Sequence, residues 1–406
     1  MKSGGWMGQI VVIGAGQAGA ALVAKLRVLG ADGPITLIGT ETALPYQRPP
    51  LSKAYLMGEM PAERLFLRPA EFYADHNITL RLGASVTAID PATKTIRLGD
   101  EVLAYDDLAL TTGASPRRLP SAIGGDLKGV FTLRDLADVD AMQPYFKRGA
   151  RVVIVGGGYI GLEGAAVAAK LGLDVTVLEM APRILQRVAC AETSGFFRDL
   201  HSRHGVKILE STGLDCLLGD GRVTGARLSD GREIAADFVM VGVGITPNTA
   251  LAQSAGLTID NGIATDAQGR ASAPHIWAAG DCASFPTAAG RVRLESVPNA
   301  IDQAECVAAN MLGAHKPYVP EPWFWSDQYD IKLQIAGLNT GYDHVATRQT
   351  EGATSFWYYK GDALLAVDAM NDPRAFMVAK RLLAMRKSPT PLRVSDPATD
   401  LKALLS

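Results

Sequence analysis

The sequence predicts an α/β protein with two domains each built on a parallel β-turn-α-β unit and a smaller α+β domain at its C-terminal end. Three observations predict it. A short apolar strand runs straight into the glycine motif Gly14-Ala15-Gly16-Gln17-Ala18-Gly19, and an Ala/Leu-rich helical stretch follows. A second strand, glycine turn and helix repeat that plan at Gly156-Gly157-Gly158-Tyr159-Ile160-Gly161. After about Trp323 the pattern changes to alternating aromatic and polar residues, as in Phe356-Trp357-Tyr358-Tyr359, which marks antiparallel strands.

The elements follow in order. Gln9 to Ile13 reads as the first strand, the helix runs to about Leu29, and Ile35 to Ile38 is the second strand. Lys94 to Arg97 and Val102 to Tyr105 alternate like an antiparallel hairpin, and Leu108 to Leu110 leads into Thr111-Thr112-Gly113. Arg151 to Val155 is a strand, Leu162 to Leu171 a helix, and Asp174 to Leu178 a strand that ends at Glu179. The apolar run from Phe238 ends in Gly242-Val243-Gly244-Ile245-Thr246-Pro247, and Phe376 to Met385 reads as the helix of the last domain. This order predicts a discontinuous first domain over 1–115 and 247–323, a second over 116–246, and a third over 324–406.

Bulk properties agree and exclude several classes. The 406 residues exceed one ordinary domain. With 48% hydrophobic and 20% charged residues the chain packs rather than stays disordered. A formal net charge of −2 gives no global basic field, so nucleic acid is not an expected partner. Met1 to Gln9 carries no apolar h-region and no segment is apolar enough to span a membrane, so the expectation is a cytoplasmic protein. Cys190, Cys216, Cys282 and Cys306 are scattered, which argues against a redox disulfide and a local zinc site. No Cys-x-x-x-x-Cys follows the first helix, and neither G-x-S-x-G nor H-E-x-x-H occurs. His201 and His204, three residues apart on a helix, read as two surface histidines rather than a metal pair, and no metal is expected.

A glycine motif between strand and helix has a physical purpose. The first glycine permits the tight turn, the second lets the backbone approach a pyrophosphate, and the third lets helix and strand pack closely. The helix N-terminus attracts the anion. Each copy here stands in that context, so two dinucleotides are expected. Glu179, at the end of the second unit's second strand, is placed to accept both ribose hydroxyls of NAD and to repel the 2′-phosphate of NADP. Arg183 and Arg187 lie just beyond and can still meet phosphates. The first unit has Gly39 and Thr40 at the equivalent position with Glu41 next, so its ribose contact falls to Thr40 or Glu41.

The run Pro45-Tyr46-Gln47-Arg48-Pro49-Pro50-Leu51-Ser52-Lys53 closely resembles a signature of the oxygenase-coupled NADH–ferredoxin reductases, the family of putidaredoxin, rhodocoxin and aromatic-dioxygenase ferredoxin reductases. Four further stretches match in order: Thr111 to Arg117, Gly156 to Glu163, Ala278-Ala279-Gly280-Asp281, and Trp325-Ser326-Asp327-Gln328-Tyr329. The resemblance covers essentially the whole chain and implies the glutathione-reductase type of fold. It implies FAD at Gly14, Gly16, Ala18, Gly19, Thr40, Glu41, Val86, Thr112, Gly113 and Asp281, with Arg134 approaching it and Val297 offering backbone. Arg48 and Lys53 are implied at the flavin, Glu163 as the partner of Lys53, and Trp325 against the isoalloxazine. It implies NAD at Gly156, Gly158, Tyr159, Ile160, Gly161, Glu163, Glu179, Arg187 and Gly244. Asp281, following Ala-Gly, is expected at a helix start.

The function so implied is hydride transfer from NADH to flavin N5, then single-electron transfer to a [2Fe–2S] ferredoxin that serves a P450 or a ring-hydroxylating oxygenase. Lys53, Glu163 and Trp325 are the expected catalytic residues. An acidic ferredoxin calls for a local basic patch, with Arg291, Arg293 and Lys316, or Lys380, Arg381, Arg386 and Lys387, as candidates. The alternatives are an NADH oxidase or rubredoxin reductase, and an NADH-sensing flavoprotein of the apoptosis-inducing-factor type. A monomer or weak dimer is expected.

Overall fold

A computed structural model describes residues 7–287 and 290–406 of the chain, so the Met1 to Trp6 part of the N-terminal reading lies outside the described residues. The chain divides into two compact units, one of Met1–Gln47, Ala62–Ser115 and Thr246–Pro322, the other of Arg48–Pro61, Pro116–Ile245 and Trp323–Ser406.

The first unit is built on a five-stranded parallel sheet in the order Ile276–Ala278, Asp107–Leu110, Ile10–Ile13, Ile35–Ile38, Ile78–Arg81. Its central strand Ile10–Ile13 is an unbroken apolar run with all four residues buried, as expected where both faces of a parallel sheet are covered. The helix Gln17–Val28 buries Leu22, Val23 and Leu26 against Ala300, Ala304 and Val307 of the helix Val297–Met311. The expected hairpin is present as Thr95–Leu98 paired with Glu101–Ala104, and Val86–Asp90 adds a third antiparallel strand.

The second unit repeats the parallel plan and adds an antiparallel one. Its parallel sheet runs Lys207–Leu209, Asp174–Leu178, Arg151–Val155, Phe238–Val241, Val130–Thr132. The helix Tyr159–Lys170 begins three residues earlier than the apolar pattern suggests, because the last glycine of the motif lies inside its first turn. The C-terminal part is a five-stranded antiparallel sheet in the order Trp323–Gln328, Ile331–Gly337, Ala363–Met370, Ala353–Lys360, His344–Thr350. The helix Pro373–Ala384 packs on it, started by Asp372, whose carboxylate accepts from the Ala375 N–H at 2.9 Å. One core joins the parts: Leu162, Phe197 and Leu200 from the helical side pack with Leu333, Phe356 and Tyr358 of the antiparallel sheet.

Candidate functional sites of the two units

In the first unit, Gly14 takes φ +114°, and a Cβ there would stand 2.1 Å from the Thr111 carbonyl oxygen, so only glycine can make this turn. Gly19 packs onto the Gly14 carbonyl with Ala18 buried beside it. Gly16 differs: a Cβ there would meet nothing within 4 Å. It is the N-cap of Gln17–Val28, a helix with no side-chain cap and no acid in its first turn. An uncapped helix start beside open space, with the helix dipole behind it, can take an anion.

The remaining first-unit candidates surround the ends of the same strands. Thr40 is exposed just past Ile35–Ile38, and Glu41 is half-buried with the Tyr46 hydroxyl donating to its carboxylate. Thr112 is clamped to Asn248 by two hydrogen bonds, hydroxyl to carbonyl at 2.7 Å and amide to carbonyl at 2.9 Å, and Gly113 follows it at φ +65°. Val86 opens its strand beside a break in register, and Val297 opens the helix whose Ser296 cap accepts from Asn299 N–H at 3.2 Å. Asp281 does not start a helix. It sits in a turn closed by Ala283 N–H donating to the Gly280 carbonyl at 2.9 Å, and the strand Ala283–Thr287 follows. Pairing of Ala283 and Ser284 with Ile263 and Ala264 draws the chain into a sheet instead.

In the second unit the motif is repeated with the same geometry. Gly156 turns at φ +107°, Gly161 packs onto the Gly156 carbonyl, and Gly158 is an open, uncapped helix start. Glu179 is half-buried, and its carboxylate accepts from Gly157 N–H at 2.9 Å and Ala181 N–H at 2.7 Å. Those bonds hold it against the glycine turn. Arg183 does not face that place: its guanidinium donates to the Cys190 carbonyl at 3.1 Å and the Ser194 hydroxyl at 2.5 Å. Arg187 is exposed and reaches toward Gly244, with Nη2 3.6 Å from where a Cβ would stand. Ile160 is exposed, and Tyr159 buries its hydroxyl and packs its ring 4.8 Å from Phe324.

One turn into that helix stands Glu163, 3% exposed. Its Oε2 lies 2.6 Å from Lys53 Nζ and accepts from the Ser52 hydroxyl at 2.5 Å. Its Oε1 accepts from the Ser326 hydroxyl at 2.7 Å. The predicted pair is therefore formed, and both carboxylate oxygens carry donors, which is what a buried charge requires. Removing one partner of such a pair costs roughly 3–5 kcal/mol, because the other charge stays buried. The sequence reading missed Ser52 and Ser326, although both lie inside the runs that carry the resemblance. Arg48 donates to the Arg134 carbonyl at 2.7 Å. Trp325, half-buried, stacks with Trp323 at 5.5 Å between centroids.

Other expectations need correction. His201 is not a surface residue: it is fully buried, and only His204 faces outward. The helix Ala191–Arg203 turns His201 toward the antiparallel sheet, where Gln328 and Tyr329 bond it. Arg291 and Arg293 are not free docking charges. Arg291 donates to the Thr265 and Ser284 carbonyls and lies 3.6 Å from Asp260, and Arg293 bonds the Asp281 carbonyl and Glu295. Lys316 is exposed. Lys380 lies over the Trp323 ring, 5.4 Å from its centroid, while Arg381, Arg386 and Lys387 are exposed, as are Arg374, Met377 and Met385. All four cysteines are free, and burial pushes the thiols of Cys190, Cys282 and Cys306 up. Among the described residues no cluster of three metal-ligating side chains occurs, and no helix is long and apolar enough to cross a membrane.

Comparison with known proteins extends these findings. Residues 8–304 match the pyridine nucleotide-disulphide oxidoreductase family, and residues 323–405 match the reductase C-terminal family. The chain is 44% identical to a rhodocoxin reductase of Rhodococcus erythropolis, over 98% of this chain and 94% of that one. It is 40% identical to a putidaredoxin reductase of Pseudomonas putida, over 98% and 96%. Among solved structures, the covalent putidaredoxin reductase–putidaredoxin complex superposes at a TM-score of 0.95, with 40% identity and 98% of each chain covered.

Proposed function

This chain belongs to the pyridine nucleotide-disulphide oxidoreductase family, and from that premise we propose that it is an FAD-dependent NADH:ferredoxin reductase serving a P450 or ring-hydroxylating oxygenase. The observation that carries the reading is the buried Lys53–Glu163 pair, set one turn into the helix that the second glycine motif opens. It stands in a chain whose relatives over nearly their full length are named as reductases of ferredoxin-type proteins.

When bound, FAD supplies the hydride-accepting and single-electron chemistry, and no general acid or base is asked of the protein for it. The protein supplies seats, alignment and charge. Gly14, Gly16 and Gly19 form the seat we assign to the FAD pyrophosphate, with Thr40 or Glu41 toward its ribose and Ala18, Val86, Thr112, Gly113, Asp281 and Val297 beside it. Gly156, Gly158 and Gly161 form the seat assigned to NADH, with Tyr159, Ile160, Arg187 and Gly244 around it. Glu179 is held by two N–H groups in position to accept ribose hydroxyls, and Arg183 is turned away from any 2′-phosphate, which favours NADH over NADPH. Lys53, paired with Glu163, is assigned the positive charge beside the flavin, with Arg48, Arg134 and Trp325 as further flavin contacts.

The division into an FAD domain, an NADH domain and a C-terminal domain is part of the same proposal, as is a cytoplasmic setting, which four free cysteines suit. For the ferredoxin we propose the exposed face of Pro373–Ala384 and the residues after it. From Pro373 to Ser395 the chain carries Arg374, Lys380, Arg381, Arg386, Lys387 and Arg393 and no acid.

An anaerobic stopped-flow experiment tests the reading. The holoenzyme is reduced with NADH and mixed with a [2Fe–2S] ferredoxin from the same organism. Bleaching of the ferredoxin at tens per second, a typical turnover scale, is expected. Fast flavin reduction with no electron passed to any of the organism's ferredoxins would overturn it.

A further inference from the structure

The Lys53–Glu163 pair is the end of a longer chain of hydrogen bonds. Ser326 Oγ lies 2.7 Å from Glu163 Oε1, Gln328 Nε2 lies 3.2 Å from Ser326 Oγ, and His201 Nε2 lies 2.8 Å from Gln328 Oε1. Tyr329 Oη lies 3.0 Å from His201 Nδ1, and the ring of His204 stacks on Tyr329 at 3.6 Å. Ser326, Gln328 and His201 are each fully buried. None of them belongs to the nucleotide motifs, and none is needed to close an element.

The chain has one possible polarity. A carboxylate only accepts, so Ser326 must donate its single proton to Glu163. Ser326 must then accept from Gln328, which fixes that amide with its nitrogen toward the serine and its oxygen toward His201. An amide oxygen also only accepts, so His201 carries its proton on Nε2, and its bare Nδ1 accepts from the Tyr329 hydroxyl. Every donor points toward Glu163. Flipping Gln328 would turn the Ser326 proton away from the carboxylate and leave Oε1 without a donor.

We propose that His201 and Gln328 are positioning residues that, acting through Ser326, hold Glu163 as an acceptor-only carboxylate opposite Lys53. This inference rests on the reading in which the Lys53 charge serves the flavin. Neutrality of His201 is part of the device, and burial pushes its imidazole down to about 4. The groups facing the chain are His204 and Tyr329 beside His201, and Lys53 and Ser52 beside Glu163.

Two measurements on the holoenzyme test it. First, in the ¹⁵N-histidine NMR spectrum of the wild-type protein, one buried imidazole should be the neutral Nε2–H tautomer and should not titrate between pH 5.5 and 8. An Nδ1–H tautomer, or titration in that range, overturns the proposed polarity. Second, His201→Phe keeps the ring and removes the donor, and His201→Gln restores an N–H. The rate of flavin reduction by NADH should fall about ten-fold in His201→Phe, the worth of the Ser326 hydrogen bond to the Glu163 carboxylate that is lost when Gln328 is no longer oriented. His201→Gln should stay within about two-fold of wild type. A His201→Phe rate equal to wild type, or an equal loss in His201→Gln, overturns the proposal, and if the first variant does not fold the NMR result still decides. Lys53→Met separates the two levels of argument. If it leaves flavin reduction unchanged, the assigned role of Lys53 fails, while the tautomer measurement still stands on its own.

Discussion

Replacing Asp368 by Asn should abolish a pH-dependence of stability that the wild-type chain carries between pH 5 and pH 8. Asp368 is fully buried in the strand Ala363–Met370. Its Oδ2 accepts from Thr193 Oγ1 at 2.6 Å and from the Tyr358 hydroxyl, and its Oδ1 has no protein partner among the described residues. Burial outweighs the two hydrogen bonds and raises the carboxyl from 3.8 to about 6. A group raised on folding favours the native state in its protonated form. Its contribution is complete below the unfolded value and is lost as pH rises through about 6. A shift of about two units corresponds to about 3 kcal/mol in all, of which about 1.4 kcal/mol is lost between pH 5 and pH 8, because at pH 5 the unfolded carboxyl is already ionised.

Asn presents a carbonyl oxygen to the same two donors and never ionises. Its amide would occupy the place of Oδ1, and an unsatisfied buried N–H costs about 1–3 kcal/mol, but equally at every pH. The absolute stability of the variant therefore decides nothing, and the difference between pH values decides everything. Urea midpoints and slopes of wild type and Asp368→Asn, followed by tryptophan fluorescence at pH 5 and pH 8, give that double difference. The neighbours titrate outside the window, since burial pushes the thiol of Cys190 and the phenol of Tyr358 up. If wild type and variant change in parallel within about 0.5 kcal/mol, Asp368 keeps one ionisation state throughout and the burial argument is wrong.

Two further predictions concern the partners. Glu179→Gln should lower the ratio of kcat/KM for NADH over NADPH by about ten-fold, an energy of about 1.4 kcal/mol for removing the repulsion of a 2′-phosphate; an unchanged ratio would show that Glu179 does not set the preference. The double change Arg381→Glu with Arg386→Glu should raise the ferredoxin KM about ten-fold at low salt and much less at ~0.5 M salt, where charges are screened, with NADH-driven flavin reduction unaffected. A KM that ignores both the charges and the salt removes that helix from the docking surface.

The repeated units were legible because their determinants are local. A strand, a glycine turn and a helix follow one another within a short stretch, so Ile35–Ile38 and Asp174–Leu178 were read with their observed limits. The Lys53–Glu163 pair, separated by 110 residues, was reached only through the resemblance, since nothing in either neighbourhood points to the other. His201 was misread for a related reason. A histidine on a polar helix looks solvated until the sheet strand carrying Gln328 is laid across it. Asp281 failed because Ala-Gly-Asp suits a helix start as well as a turn, and the choice was made by the pairing of Ala283 and Ser284 with Ile263 and Ala264. Arg291 and Arg293 failed because the carbonyls that hold them come from other segments of their unit. In each case the missing information was a contact distant in sequence, not a property of the residue.

The helix Tyr159–Lys170 ties the two chemistries of the second unit together, and its glycines allow that tie to be tested. Its N-terminus is the proposed pyrophosphate seat, and Glu163 stands one turn later, about 6 Å along the axis. Gly158 and Gly161 meet different surroundings. A Cβ on Gly158 has nothing within 4 Å, whereas a Cβ on Gly161 would stand 2.1 Å from the Gly156 carbonyl oxygen. Gly158→Ala should therefore fold with wild-type stability, keep the Lys53–Glu163 pair, and lose NADH affinity, because its methyl fills the space a pyrophosphate needs. Gly161→Ala must push the helix off the turn. It should lose stability by about 1–3 kcal/mol, as overpacking does, and should disturb the nucleotide seat and the ion pair at once. Isothermal titration with NAD⁺ and urea unfolding of the two variants separate the cases. Equal losses of stability would mean that the space beside Gly158 is not open, and the assignment of that end of the helix to a dinucleotide would fall with it.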